Sequence, residues 1–198
     1  GYTEFVAHDT LAPLLRRFTS ERPNVQLDLL NMGTEQQRVA LSEGEIDFAI
    51  MVGPFVVSDI ATHRVRNDDL VVLMPDGHRL AAKEGITVAD LREEPLVVGQ
   101  ESSWRIYRRL IFREFVRHRI TPRITQEAPT PSAIMSLVAA GMGLTIFPRT
   151  YSETFASHMV CRPYLGEETS LEIICAWNKT RPNPLLSALV QALPPTGG

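Results

Sequence analysis

A chain of 198 residues with 44% hydrophobic and 22% charged side chains can build a packed core, which excludes a disordered or fibrous protein and allows one large domain or two small lobes. Asp and Glu (23) outnumber Lys and Arg (20), so the net charge of −3 supplies no positive field to gather a polyanion, and a nucleic-acid role would need residues outside this sequence. The apolar stretch Ala133 to Phe147 falls short of the roughly 18 residues a bilayer span requires, so no membrane partner is expected. Glu4, His8 and Asp9 interrupt the N-terminal apolar residues, which argues against a secretory signal and for a cytoplasmic protein. Gly1 stands directly before an apolar run with no initiator Met, as in a chain cut from something longer. Cys161 and Cys175 make neither a disulfide framework nor a metal set.

In chain order, Thr10 to Glu21 carries Leu11, Leu14, Leu15 and Phe18 on one stripe and predicts an amphipathic helix with a proline in its first turn. Val25 to Leu29 alternates at period two and predicts a strand. Asn31 to Glu35 is a turn that leads into a helix over Gln36 to Ser42, with Thr34 as its cap. Ile46 to Val52 then predicts a buried strand. This order of strands and helices is that of a parallel α/β unit. The polar span Ile60 to Asp69 leads into a strand at Leu70 to Met74 and a loop at Pro75 to Leu80, with a helical turn at Val88 to Leu91. A strand follows at Leu96 to Gly99, and a long helix, Trp104 to Arg117, is capped by Ser102 or Ser103. A strand around Ile124, a helix from Pro131 to Ala140 closed by Gly141-Met142-Gly143, and a strand from Leu144 to Phe147 come next. Weakly extended Met159 to Leu165, a strong strand at Leu171 to Trp177 and a helix from Pro184 to Leu193 complete the chain. So many short units suit two small α/β lobes better than a single doubly wound sheet.

The five histidines are scattered, and no H-x-x-x-H or C-x-x-C grouping supplies the converging ligands a zinc site needs. Gly141-Met142-Gly143 follows a helix and precedes a strand, the reverse of a dinucleotide fingerprint, and is expected to be a helix end and tight turn. Arg105, Arg109, Arg113 and Arg117 fall at spacing four on one helical face, which more simply marks a solvated side than an anion site. No G-x-S-x-G frames a nucleophile. What survives is a set of polar helix starts: Thr34, Ser102 with Ser103, and Thr130. Helix N-termini present unpaired N–H groups and a favourable field for carboxylates. If the three starts face one cleft they form an anion cage without a catalytic base, although each alone is only a capping residue.

Four segments in order carry a resemblance: LAPLLRRFTSERPNVQLDL at Leu11 to Leu29, ALSEGEIDFAI at Ala40 to Ile50, DLVVLMPDGHRL at Asp69 to Leu80, and SLVAAGMGLTIFP at Ser136 to Pro148. On these the chain resembles the effector-binding domain of the LysR-type transcriptional regulators, and its turn Asn31 to Thr34 looks like the branch sensing aromatic acids and muconates. The resemblance implies an α/β fold with two Rossmann-like lobes joined by two crossover strands, like type 2 periplasmic binding proteins. Lobe one would be residues 1 to 71 with 168 to 198, and lobe two 72 to 167. It implies an effector in the interlobe cleft, a small organic acid, aromatic acids included. Its contacts would be Phe5, Val6, Ala7, His8, Met32, Gly33, Thr34, Ser102, Ser103, Trp104 and Thr130, with Phe5, Met32, Trp104 and Phe147 as apolar wall. It further implies a homodimer or tetramer, no cofactor, and DNA contact only through an N-terminal winged helix-turn-helix that would lie before Gly1. The alternatives are a solute-binding protein for a small anionic metabolite and, less favoured, an enzyme on a two-lobe fold.

Overall fold

Between Thr3 and Glu21 the chain is helical almost throughout, first as a tight turn, Glu4–Val6, and then as a wide one, Ala7–Leu11, before α1 (Ala12–Glu21). The helical stripe reaches back to Phe5 and Val6, which were expected as effector contacts: Phe5, Val6, Thr10, Leu14 and Phe18 are all buried. The computed structural model describes residues 1–181 and 183–193, and the side chain of His8 lies outside the described residues. The remaining elements are α2 (Thr34–Glu43), β1 (Phe48–Val52), β2 (Ile60–Pro75), β3 (Ile86–Thr87), β4 (Pro95–Gly99), α3 (Glu101–Arg117) and β5 (Arg123–Ala128). They continue with α4 (Pro131–Ala139), β6 (Thr145–Pro148), α5 (Arg149–Ser152), β7 (Met159–Leu165), β8 (Ser170–Asn178) and α6 (Pro184–Gln191).

By packing, the chain divides into two units: Gly1–Asn67 together with the chain from Glu172 on, and Asp68–Leu171. The first unit is built on β1 and β8, which run antiparallel with Phe48 opposite Trp177 and Val52 opposite Ile173. Its core gathers Ala40, Leu41, Ile46, Ala49, Met51, Ile60, Ile174 and Ala176. Gly44, at φ +81°, ends α2 in the left-handed conformation that glycine adopts without a Cβ penalty. Asn183 caps α6, its Oδ1 accepting from the Leu185 and Leu186 N–H groups at 2.9 and 3.3 Å.

The strand expected over Val25 to Leu29 forms no ladder. Val25 and Leu27 are half-buried while Gln26 and Asp28 are exposed, so the alternation is present. Alternation records which face is covered, whereas a ladder needs a neighbour in register. That neighbour is met only at Asn31, in an isolated parallel bridge to Tyr2, with Tyr2 N–H on the Leu30 carbonyl and Met32 N–H on the Tyr2 carbonyl, both 2.9 Å.

From Asp68 on, β2 is the spine of the second unit. It is far longer than the Leu70 to Met74 strand expected, because the polar span Ile60 to Asp69 is also extended. Residues 70–73 pair antiparallel with β6 and residues 71–75 with β7, so the run from Leu70 to Met74 is buried on both faces and loses its alternation. Parallel β4 and β5 form a separate pair, and β4 also bridges Leu144 through Val97 N–H to the Leu144 carbonyl and Leu144 N–H to the Pro95 carbonyl, both 2.8 Å. After α4 the expected helix end is formed by Gly141 at φ +76°, its N–H on the Val138 carbonyl and the Met142 N–H on the Leu137 carbonyl.

Candidate functional site

In the second unit, candidate residues gather where β4 feeds α3. The helix starts at Glu101 behind Gln100, so Ser102 and Ser103 are not its caps, as expected, but exposed residues of its first turn. Trp104 follows with non-helical backbone (φ −117°, ψ 15°), and this kink turns its indole inward, to 8% exposure. The indole Nε1 donates to the Pro129 carbonyl at 3.0 Å, and the ring lies edge-on to Tyr107 (5.6 Å between centroids) and tilted on Phe147 (5.8 Å). Gly99 passes directly beneath it, where a Cβ would stand 2.2 Å from the indole Cγ. Thr130 caps α4 as expected, its Oγ1 accepting from Ala133 N–H at 3.2 Å, and the Gln100 N–H reaches the Ala128 carbonyl at 3.0 Å. Ser102, Ser103, Trp104, Thr130 and Phe147 are therefore brought together, with Phe147 fully buried behind the indole.

Two residues that carry this arrangement escaped sequence reasoning. Tyr107 donates its hydroxyl to the Ile146 carbonyl at 2.6 Å. Burial, and secondarily the charge of Asp68, pushes its phenol well above the usual range. Tyr107, Ile111 and Phe115 recur along one side of α3, a pattern that announces burial only. Gly99 left one clue, a glycine inside a strand, which commonly marks close approach of another group.

In the first unit, the candidate residues lie at the turn into α2. Gly33, not Thr34, is the cap residue, and its N–H donates to Gln36 Oε1 at 3.0 Å. Thr34 is the first helical residue, buried, and its hydroxyl accepts from Val52 N–H at 3.3 Å. The expectation that Thr34 caps the helix fails because that oxygen is committed to the end of β1. Met32 packs its side chain against the unit's core. Gln37, one turn on, donates to the Thr3 hydroxyl (3.1 Å) and the Met32 carbonyl (2.9 Å). Phe5 and Val6 are buried and Ala7 half-buried. The carboxylate of Asp9, beside these residues, is ion-paired with Arg66 at 2.6 Å, so its charge is compensated locally.

On the arginine face of α3, Arg113 meets Glu168 and Arg117 meets Glu167 at 2.6 Å, while Arg108, off that face, meets Glu127 at 2.7 Å. Such exposed pairs hold side chains more than they stabilise the fold. Among the described residues no group of three or more His, Cys, Asp or Glu is placed to hold a metal ion, and no helix is long and apolar enough to cross a membrane. In each unit taken by itself, a helix start offers hydroxyls and helix-initial N–H groups suited to a small anion, and in the second unit these stand beside the buried Trp104 and Phe147 rings.

Two α/β units with the chain crossing between them twice define a fold of the type 2 periplasmic-binding-protein-like class. Solved structures share it: the effector-binding domain of QuiR in complex with shikimate superimposes with a TM-score of 0.86 at 21% identity, covering 98% of this chain and 93% of that one. The BenM effector-binding domain with its effector benzoate gives 0.82 at 21% identity, over 98% and 88%. The profile described as LysR substrate binding domain matches residues 1–196, and the chain belongs to that family. The HTH-type transcriptional regulator AlsR of Bacillus subtilis is 28% identical over 194 residues, covering 96% of this chain and 63% of that protein. The Hca operon transcriptional activator HcaR of Escherichia coli is 26% identical over 192 residues, again across 63% of its length. The chain thus spans about 63% of the length of these relatives.

Proposed function

We propose that this chain is the ligand-sensing part of a bacterial LysR-type transcriptional regulator and binds a small organic carboxylate, aromatic and shikimate-like acids included. The observation that carries the reading is the family match over residues 1–196. The gathered start of α3, the capped start of α4 and the wall of Trp104 and Phe147 support it. The residues proposed to hold the effector are Phe5 to His8 and Met32 to Thr34 in the first unit, and Ser102 to Trp104, Thr130 and Phe147 in the second. The protein acts by binding rather than turnover, in the cytoplasm, as a homodimer or tetramer, and reaches DNA through an N-terminal winged helix-turn-helix ahead of the two lobes. Effector binding shifts the balance between two arrangements of the regulator by its difference in affinity for them, about 1–3 kcal/mol in a typical coupling.

A thermal-shift panel of benzoate, shikimate and cis,cis-muconate on this chain tests the reading. Ligand at 100 times its Kd stabilises by about 2.7 kcal/mol, and the ligand must be recovered chemically unchanged. The exposed Ser102→Ala and Ser103→Ala changes should weaken binding without lowering the ligand-free midpoint. Absence of any response across the panel, or consumption of the acid, would overturn the proposal.

A further inference from the structure

Gln37 sits on α2 at 0% exposure, where each polar atom of an amide has to be matched or left at a cost. Its nitrogen bridges the Thr3 hydroxyl and the Met32 carbonyl. A carbonyl can only accept, so the nitrogen must face Met32, and this fixes which way the amide points. The oxygen, Oε1, is then buried with no hydrogen-bond partner among the described residues. Stability alone would favour an apolar side chain of the same length here, since an orphaned buried acceptor works against the fold.

What the amide secures is geometry. Thr3 stands one residue before the Glu4–Val6 turn, and Met32 one residue before the Gly33 cap of α2. The same turn is pinned by Met32 N–H on the Tyr2 carbonyl, Gly33 N–H on Gln36 Oε1 and Val52 N–H on Thr34 Oγ1. These bonds occupy the polar groups that could let the turn drift. They leave the Thr34 and Gln36 N–H groups, which have no acceptor within the helix, pointing out of its first turn.

We propose that Gln37 is a positioning residue for effector recognition: it locks the Thr3–Val6 segment to the start of α2, so that the first-turn N–H groups meet a carboxylate in one fixed geometry. This rests on the effector-binding reading above. Gln37→Met keeps length and volume, removes both donors and abolishes the orphaned oxygen. With this variant, ligand-free melting should change by no more than about 2 °C. Amide hydrogen exchange at residues 32–36 should quicken about tenfold, with the rest of the chain unchanged. Benzoate and shikimate should bind about tenfold more weakly, while the neutral analogue benzamide changes less than about twofold. Thr3→Val, which removes one anchor only, should give the same pattern in smaller degree and serves if Gln37→Met does not fold. Unchanged exchange at 32–36, or equal losses for acid and amide together with a lower melting point, overturns the proposal. Should neither acid bind the unaltered chain, the effector reading loses its support, and the exchange comparison still decides the clamp: quickening confined to 32–36 upholds it and no change refutes it.

Discussion

Gly99→Ala should disrupt the start of α3 by pushing directly on the Trp104 indole. The added methyl would lie 2.2, 2.3 and 2.7 Å from Cγ, Cδ2 and Cδ1 of Trp104, whereas carbon atoms in contact rest about 3.5–4.0 Å apart. The indole must therefore retreat by about 1 Å or more, against its bond to Pro129 and its packing on Tyr107 and Phe147. Overpacking of this kind costs about 1–3 kcal/mol, or about 2–4 °C per kcal/mol in a chain of this size. Gly99 does not have positive φ, so alanine meets no backbone strain there and would otherwise gain about 0.4–1 kcal/mol from the unfolded state. Trp104→Ala alone should cost about 3–5 kcal/mol. In that background Gly99→Ala should be neutral or slightly stabilising, which makes the coupling about 1–4 kcal/mol. Urea unfolding of the four proteins, followed by far-ultraviolet circular dichroism, measures it. A Gly99→Ala cost equal in both backgrounds to within about 0.5 kcal/mol would refute the contact as the cause.

Gly143→Ala should be harmful for a different reason: at φ +153° its Cβ would stand 2.6 Å from the Pro95 carbonyl oxygen, a backbone atom that cannot rotate away. A loss of about 2–3 kcal/mol is expected, unrelieved by Trp104→Ala, and a melting point within about 2 °C of the parent would count against it. Thr130→Ala removes the α4 cap and should lose about 0.5–2 kcal/mol, with Thr130→Ser restoring most of it; equal melting of both variants would mean the cap bond contributes nothing. Burial pushes the Cys175 thiol up to about 12 from an ordinary 9.0. Its raised folded-state pKa means the contribution is fully present below about pH 9 and is lost as pH rises toward 12, by an amount of order 4 kcal/mol at most. Tyr107 and Tyr164 shift in the same direction, so the thiol is isolated by comparison with Cys175→Val, whose stability should fall less steeply above pH 9. Parallel alkaline limbs for the two proteins would contradict this.

The order of helices and strands was available from periodicity, since a stripe such as Leu14 and Phe18, or the apolar run Leu70 to Met74, records one element's own burial. So were the segments that pointed to the family, and the choice of helix starts as places where a carboxylate would be welcome. The cap at Thr130 follows from local chemistry, because its side chain reaches its own helix within three residues. What depended on distant partners was not available. Thr34 has a capping residue's side chain, yet its oxygen is taken by Val52, eighteen positions away. Val25 to Leu29 has a strand's alternation without a strand's neighbour, and the polar Ile60 to Asp69 is extended although its pattern predicted no strand. Gln37 looks like one more polar residue on a surface helix until its amide is found buried between residues 3 and 32. Periodicity is a property of neighbouring residues, whereas hydrogen-bond partners and room for a Cβ are properties of whatever the fold brings alongside, and only the tertiary structure decides those.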